Sequence, residues 1–214
     1  MKKMIKFISQ NKIQFFFFVG LVGIMIFTIA ISFVSTNNSN TPTNQDTPKD
    51  PIVDEIVDVN PVETIELPLS SDLDYVIVRK FYEKDGTKED QKLSLIKYQN
   101  GYRTSVGTSY ALKDGGTFDV LSVLSGKVVE IKESPLYNNY VVIDHGNEFK
   151  TYYYGLSDVT VTLGAEVNQG DKIGTSGKTE IDAETGNHVY IKMMLNGKHF
   201  NPEKLIGKKV SEIA

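Results

Sequence analysis

The chain has 214 residues, no cysteine and a formal net charge of −4, which gives room for one domain of ordinary size with accessory segments. Without thiols it builds neither a disulfide framework nor a thiolate zinc site. Residues 1–34 hold four lysines (Lys2, Lys3, Lys6, Lys12) and no acid, which leaves −8 on the remainder. That balance argues against nucleic acid as a partner, because phosphate binding draws on clustered Lys and Arg.

Residues 1–14 read as a short basic N-terminus. Phe15 to Val34 is an uncharged, almost unbroken apolar run, and about 20 such residues cross a bilayer core as one helix. Signal-peptide apolar regions are shorter, about 7–15 residues, although Ala30-Ile31-Ser32 would serve as a small-x-small cleavage site. Lysines on the near side and Thr/Asn on the far side place the N-terminus in the cytoplasm and everything after Ser35 outside it. Residues 35–69 read as a flexible polar and acidic linker, too polar at its start to bury and punctuated by Pro42, Pro48, Pro51, Pro61 and Pro68. Its Ile52-to-Val59 stretch alternates acidic and apolar residues, which suits an extended tether or a docking segment.

Residues 70–214 read as the folded domain, and the pattern there is β. Tyr75 to Tyr82 is rich in β-branched and aromatic residues, Asp85-Gly86 supplies a turn, and Leu93 to Tyr98 reads as a second strand. Asn100-Gly101 predicts a hairpin into Tyr102 to Ser105. Further strands are predicted at Lys127–Lys132, Tyr140–Asp144, Phe149–Tyr154 and His188–Met194, with Asn196-Gly197 closing another hairpin. Short strands separated by Gly-containing turns predict a mainly β, antiparallel domain. Phe118, Val120, Val128, Val141, Ile143, Ile173, Val189 and Ile191 are its predicted core. His145, before a turn, is expected to make structural hydrogen bonds, and His199 to lie at the surface or pack. Tyr153, His188 and Tyr190 are candidates to line a groove, against ordinary alternation in a half-buried strand.

Several blocks carry a resemblance. Gly115-Gly116-Thr117-Phe118-Asp119-Val120, Gly126-Lys127-Val128-Val129, Asn139 to Gly146, Thr151 to Ser157, Val167 to Gly174, Gly186 to Lys192 and Asn201-Pro202 follow one another as in the LytM or lysostaphin-type zinc endopeptidases of peptidoglycan. The resemblance implies that family's antiparallel, duplicated-hybrid-motif fold. It also implies where a metal would sit, in a His-x-x-x-Asp element and on the second His of a His-x-His element. Aligned on Gly107, the first two ligand positions are Ser105 and Ser109, and the third is Tyr190. His188 matches the catalytic, non-ligating His, and Gly155 stands where a further catalytic His is expected.

Catalytic zinc needs about three His, Asp, Glu or Cys ligands. A serine hydroxyl is a poor donor, and a tyrosine would have to ionise well below its usual pKa of roughly 10. The expectation is therefore a degenerate domain with no metal, no cofactor and no peptidase activity. Phe81-Tyr82, the Lys92-to-Tyr98 strand and the Gly107-to-Val120 stretch are similar to a sporulation branch of this family, bitopic proteins of the forespore membrane facing the intermembrane space. That likeness implies a scaffold for engulfment and forespore gene expression. Its implied partner is a stage III sporulation protein AH-like membrane protein, and its implied assembly a ring or channel. Two alternatives stay open: a peptidoglycan-binding regulator of a separate wall hydrolase, and an active endopeptidase with unorthodox ligands.

Overall fold

A computed structural model describes residues 63–213. The expected membrane segment and all but the end of the expected linker lie outside the described residues. Among the described residues no helix is long and apolar enough to cross a membrane.

The strands follow in order β1 (Tyr75–Arg79), β2 (Leu95–Tyr98), β3 (Gly101–Thr104), β4 (Thr108–Leu112), β5 (Asp119–Leu121), β6 (Gly126–Ser134), β7 (Asn138–Asp144), β8 (Phe149–Val159), β9 (Glu166–Val167), β10 (Lys172–Ser176), β11 (Val189–Leu195) and β12 (Lys198–Phe200). Two short helices, α1 (Lys88–Leu93) and α2 (Pro202–Leu205), punctuate them. The main sheet runs β1-β4-β11-β8-β7-β6-β9, with β10 pairing β8 and β5, and β12 pairing β11. All of these pairings are antiparallel. β2 and β3 form a separate hairpin.

Period-two alternation sorts the side chains. Val189, Ile191 and Met193 on β11, and Phe149 and Tyr153 on β8, point into the core. The predicted core residues Phe118, Val120, Val128, Val141, Ile143, Ile173, Val189 and Ile191 are all buried. Tyr154, Tyr190 and Lys192 leave through the opposite face. The Asn196-Gly197 turn has both residues at positive φ, 51° and 73°, the geometry that favours this dipeptide in a two-residue hairpin.

The structure moves three sequence boundaries. Residues 64–69, expected as linker, are packed into the domain. Ile65 and Leu69 are buried, Thr64 bridges Lys209, the Ile65 N–H donates to the Lys208 carbonyl and the Leu121 N–H to that of Pro68. Prolines keep this segment extended, and an extended segment can lie along a sheet as well as serve as a tether. The first strand stops at Arg79. The expected strand from Leu93 begins at Leu95 because α1 precedes it, capped by Thr87, whose Oγ1 accepts from the Asp90 N–H. Thr87-x-x-Asp90 with Glu89 and Asp90 in the first turn was the available signal.

Candidate functional site

The expected ligand positions come together. Ser109 on β4 pairs directly with Tyr190 on β11, and Ser105, in the turn between β3 and β4, meets the Tyr190 hydroxyl. All three are buried. Gly107 allows this closeness: a Cβ there would sit 2.2 Å from the Ile191 carbonyl oxygen and 2.9 Å from Tyr190 Cε2. Only a residue without a side chain lets the turn lie on the tyrosine ring.

Ser105 and Tyr190 bond to each other. The Val106 N–H donates to Tyr190 Oη at 3.2 Å. Tyr190 O–H reaches Ser105 Oγ at 3.0 Å, and Ser105 O–H donates to the Gly107 carbonyl at 2.8 Å. Burial pushes the Tyr190 phenol up to about 12, so ionising it as a ligand at neutral pH would cost on the order of 7 kcal/mol. The family's zinc therefore does not fit: two serines and a neutral phenol replace its ligands, and the Ser105 and Tyr190 hydroxyls are already engaged with each other and with the 106–107 backbone. Among the described residues no group of three His, Cys, Asp or Glu side chains is placed to hold a metal.

His188 is buried just before β11. Its Nδ1–H donates to the Gly186 carbonyl at 2.9 Å, while Nε2 lies 3.5 Å from Thr179 Oγ1. Burial holds its pKa below the ordinary value. Gly155 sits at φ 85° in a β8 bulge, and a Cβ there would lie 3.1 Å from Thr179 Cγ2 and 3.2 Å from the His188 carbonyl oxygen. The 177–188 loop thus occupies the space a second histidine would need.

An ion pair holds that loop. Arg79 Nε donates to Asp182 Oδ2 at 3.0 Å, and Nη2 lies 2.7 Å from both carboxylate oxygens. Arg79 Nη1 also donates to the Leu93 and Leu95 carbonyls. Both side chains are more than four-fifths buried. Arg79 pairs with Ser109 across a bulge at Val78. Arg79, Ser109, Tyr190, Thr179 and Asp182 line a narrow, partly open cleft with about 10 Å³ of free space, room for one water at most. Residue typing alone missed Arg79 and Asp182.

The replaced ligand positions Ser105 and Ser109 share this site with His188 and Tyr190, two of the three residues expected to line a groove. Tyr153 does not. It is fully buried on the core face of β8, accepting from the Val123 N–H at 2.9 Å. Its neighbours Tyr152 and Tyr154 face the groove side, and Tyr154 packs 6.1 Å from Tyr190. His145 makes the expected structural bonds: its Nδ1–H donates to the Ser125 carbonyl at 2.8 Å and Nε2 meets Thr151 Oγ1. His199 is exposed on β12.

The antiparallel sheet, with Ser105, Ser109 and Tyr190 brought together where the resemblance implies metal ligands, agrees with a zinc-peptidase type of fold. The model for peptidase family M23 matches residues 103–202, and that stretch is a domain of this family. The chain is 37% identical over 152 residues to stage II sporulation protein Q of Bacillus subtilis (strain 168), covering 71% of this chain and 54% of that protein. It thus spans about half the length of that curated relative. A solved structure of the SpoIIQ–SpoIIIAH pore-forming complex matches with a TM-score of 0.68 at 37% identity, covering 71% of this chain and 96% of the matched one. The peptidoglycan DD-endopeptidase ShyA of Vibrio cholerae is 37% identical over 98 residues, 46% of this chain and 22% of the enzyme. A zinc-containing peptidase from Vibrio cholerae matches with a TM-score of 0.52 at 25% identity, covering 65% of this chain and 39% of that one.

Proposed function

We propose that the chain is a non-catalytic scaffold of endospore formation. Residues 15–34 anchor it in the forespore membrane with the N-terminus cytoplasmic, and the linker, ending near residue 62, carries the domain into the intermembrane space. There the domain binds a stage III sporulation protein AH-like partner in the mother-cell membrane, and multiple copies build an adhesion and channel complex. Facing arrays gain avidity from multiplicity even where single contacts are weak.

The observation that carries this reading is the bonded chain Val106–Tyr190–Ser105–Gly107 in the metal position. Without a Lewis acid nothing lowers the pKa of an attacking water or polarises a scissile carbonyl, and the fold is kept for contact. Likeness to a protein solved in complex with SpoIIIAH supports the choice of partner.

The test uses the full chain in detergent. It is expected to capture the soluble domain of the opposing-membrane partner and to carry no stoichiometric zinc by elemental analysis. About one zinc per chain, lost in His188→Ala, would restore the peptidase reading.

A further inference from the structure

Lys192 follows Tyr190 by two residues on β11, so both leave the same face of the sheet. Its Nζ stands 4.4 Å from the ring centroid of Tyr154 and 5.7 Å from those of Tyr137 and Tyr190. Tyr152, which pairs with Lys192 across β8, stacks on Tyr154 with centroids 6.3 Å apart and planes 6° from parallel. The lysine is half-buried in a box of tyrosine rings.

What the box lacks is a counter-charge. Other cations and acids on this face pair off: Lys132 with Glu130 and Lys150 with Asp144. Among the described residues Lys192 has no carboxylate partner and no hydrogen-bond acceptor, and desolvation alone lowers its pKa. Partial burial of an unpaired ammonium is costly. Cation–π contact returns only part of that cost, and a methionine would fill the same space without the charge. The arrangement becomes favourable when an anion arrives from outside. Tyrosine is also among the residues enriched at the energetic centres of protein interfaces.

The occupant's chemistry follows from the surroundings. The neighbouring cleft has only about 10 Å³ of free space, too little for a side chain, so the anion reaches Lys192 from the open face of the sheet. Flat rings ending in hydroxyls suit a short acidic side chain flanked by apolar atoms. We propose that Lys192 and the surrounding tyrosines Tyr137, Tyr152 and Tyr154 form the docking site for an Asp or Glu side chain of a protein partner. The proposal rests on the reading that this domain works by binding another protein, and it names the place and the chemistry of that contact.

The experiment measures affinity of the full chain in detergent for the soluble domain of the opposing-membrane partner, with wild type, Lys192→Met and Lys192→Glu. Lys192→Met is expected to weaken binding at least about tenfold and to flatten its salt dependence, and Lys192→Glu to weaken it further. The Met variant should melt at or above the wild-type temperature, which separates loss of binding from loss of fold. Rescue of Lys192→Glu by an acidic-to-lysine change on the partner would identify the paired residue. Wild-type binding with Lys192→Glu within about twofold overturns this site and leaves the scaffold reading intact. Failure of the wild type to capture the partner removes both. Binding to peptidoglycan instead, lost in Lys192→Glu, overturns the assignment to a protein side chain.

Discussion

Asp182→Ala tests whether the Arg79–Asp182 pair holds the 177–188 loop over the former metal position. The pair makes three contacts of 2.7–3.0 Å, with its side chains 14% and 12% exposed. Removing one partner of a buried pair strands the other charge, at about 3–5 kcal/mol. Residual exposure, and the carbonyls of Leu93 and Leu95 that still receive Arg79, put the expected loss at the lower end, about 3 kcal/mol. For a domain of this size that is a fall in Tm of roughly 6–12 °C, measurable by circular dichroism alongside urea unfolding. Hydrogen exchange adds a local readout. The Gly177–His188 bridge and the Ile181 N–H bond to Leu136 should exchange faster than the β7–β8 ladder. Replacing both partners, as Arg79→Met with Asp182→Leu, should recover most of the loss, because apolar groups of similar volume remove the desolvation penalty. A Tm within about 2 °C of wild type for Asp182→Ala, or a double variant no better than the single, would refute the argument.

Gly107→Ala should cost about 3 kcal/mol or more, since its Cβ would overlap the Ile191 carbonyl at 2.2 Å and relief means pulling β4 from β11; urea midpoints equal to wild type would contradict the close approach. His145 should make the fold acid-sensitive. Burial depresses its pKa to about 4 against about 6.5 unfolded, so the unfolded chain takes the proton first. Its contribution is whole above about pH 6.5 and lost as pH falls toward 4, by about 2 kcal/mol at about pH 5. Denaturation of wild type and His145→Gln across that window checks it: the variant's profile should be flatter by this amount, and parallel profiles would show that the imidazole does not titrate with folding.

Much of the fold was legible because hydrophobic alternation and turn dipeptides act locally. Val141 and Ile143 alternate inward as β strands demand, and Asn196-Gly197 supplies its own positive-φ turn. What escaped depends on partners distant in sequence. In Tyr152-Tyr153-Tyr154 three identical residues carry no phase. Pairing with Lys192, Ile191 and Tyr190 sets it, and it sends Tyr153 into the core and its neighbours to the groove. Arg79 escaped for a related reason. Strict alternation from Tyr75 and Ile77 would send it into the core, and only the bulge at Val78 turns it to the face of Ser109. The replaced ligand positions were visible by residue type, but their mutual bonding was not. A serine and a tyrosine 85 positions apart become a bonded pair only once β4 and β11 lie side by side.

Direct pairing carries one row across the sheet, from Arg79 through Ser109, Tyr190, Tyr154 and Tyr140 to Lys132. A metal at the Ser105, Ser109 and Tyr190 positions would tie the turn before β4 to β11. Here Tyr190 makes that tie through Ser105 and Val106, and Arg79 extends it to the covering loop through Asp182. The replacements therefore depend on one another. A histidine at 190 alone would break the bonds to Ser105 and Val106 without supplying the two missing ligands, and it would place a weaker base beside a permanent guanidinium that repels any incoming cation. The same bonds that occupy the metal position also fix Tyr190, against which Tyr154 packs, beside Lys192. Closing the old site and presenting a fixed aromatic surface are thus consequences of a single arrangement of side chains.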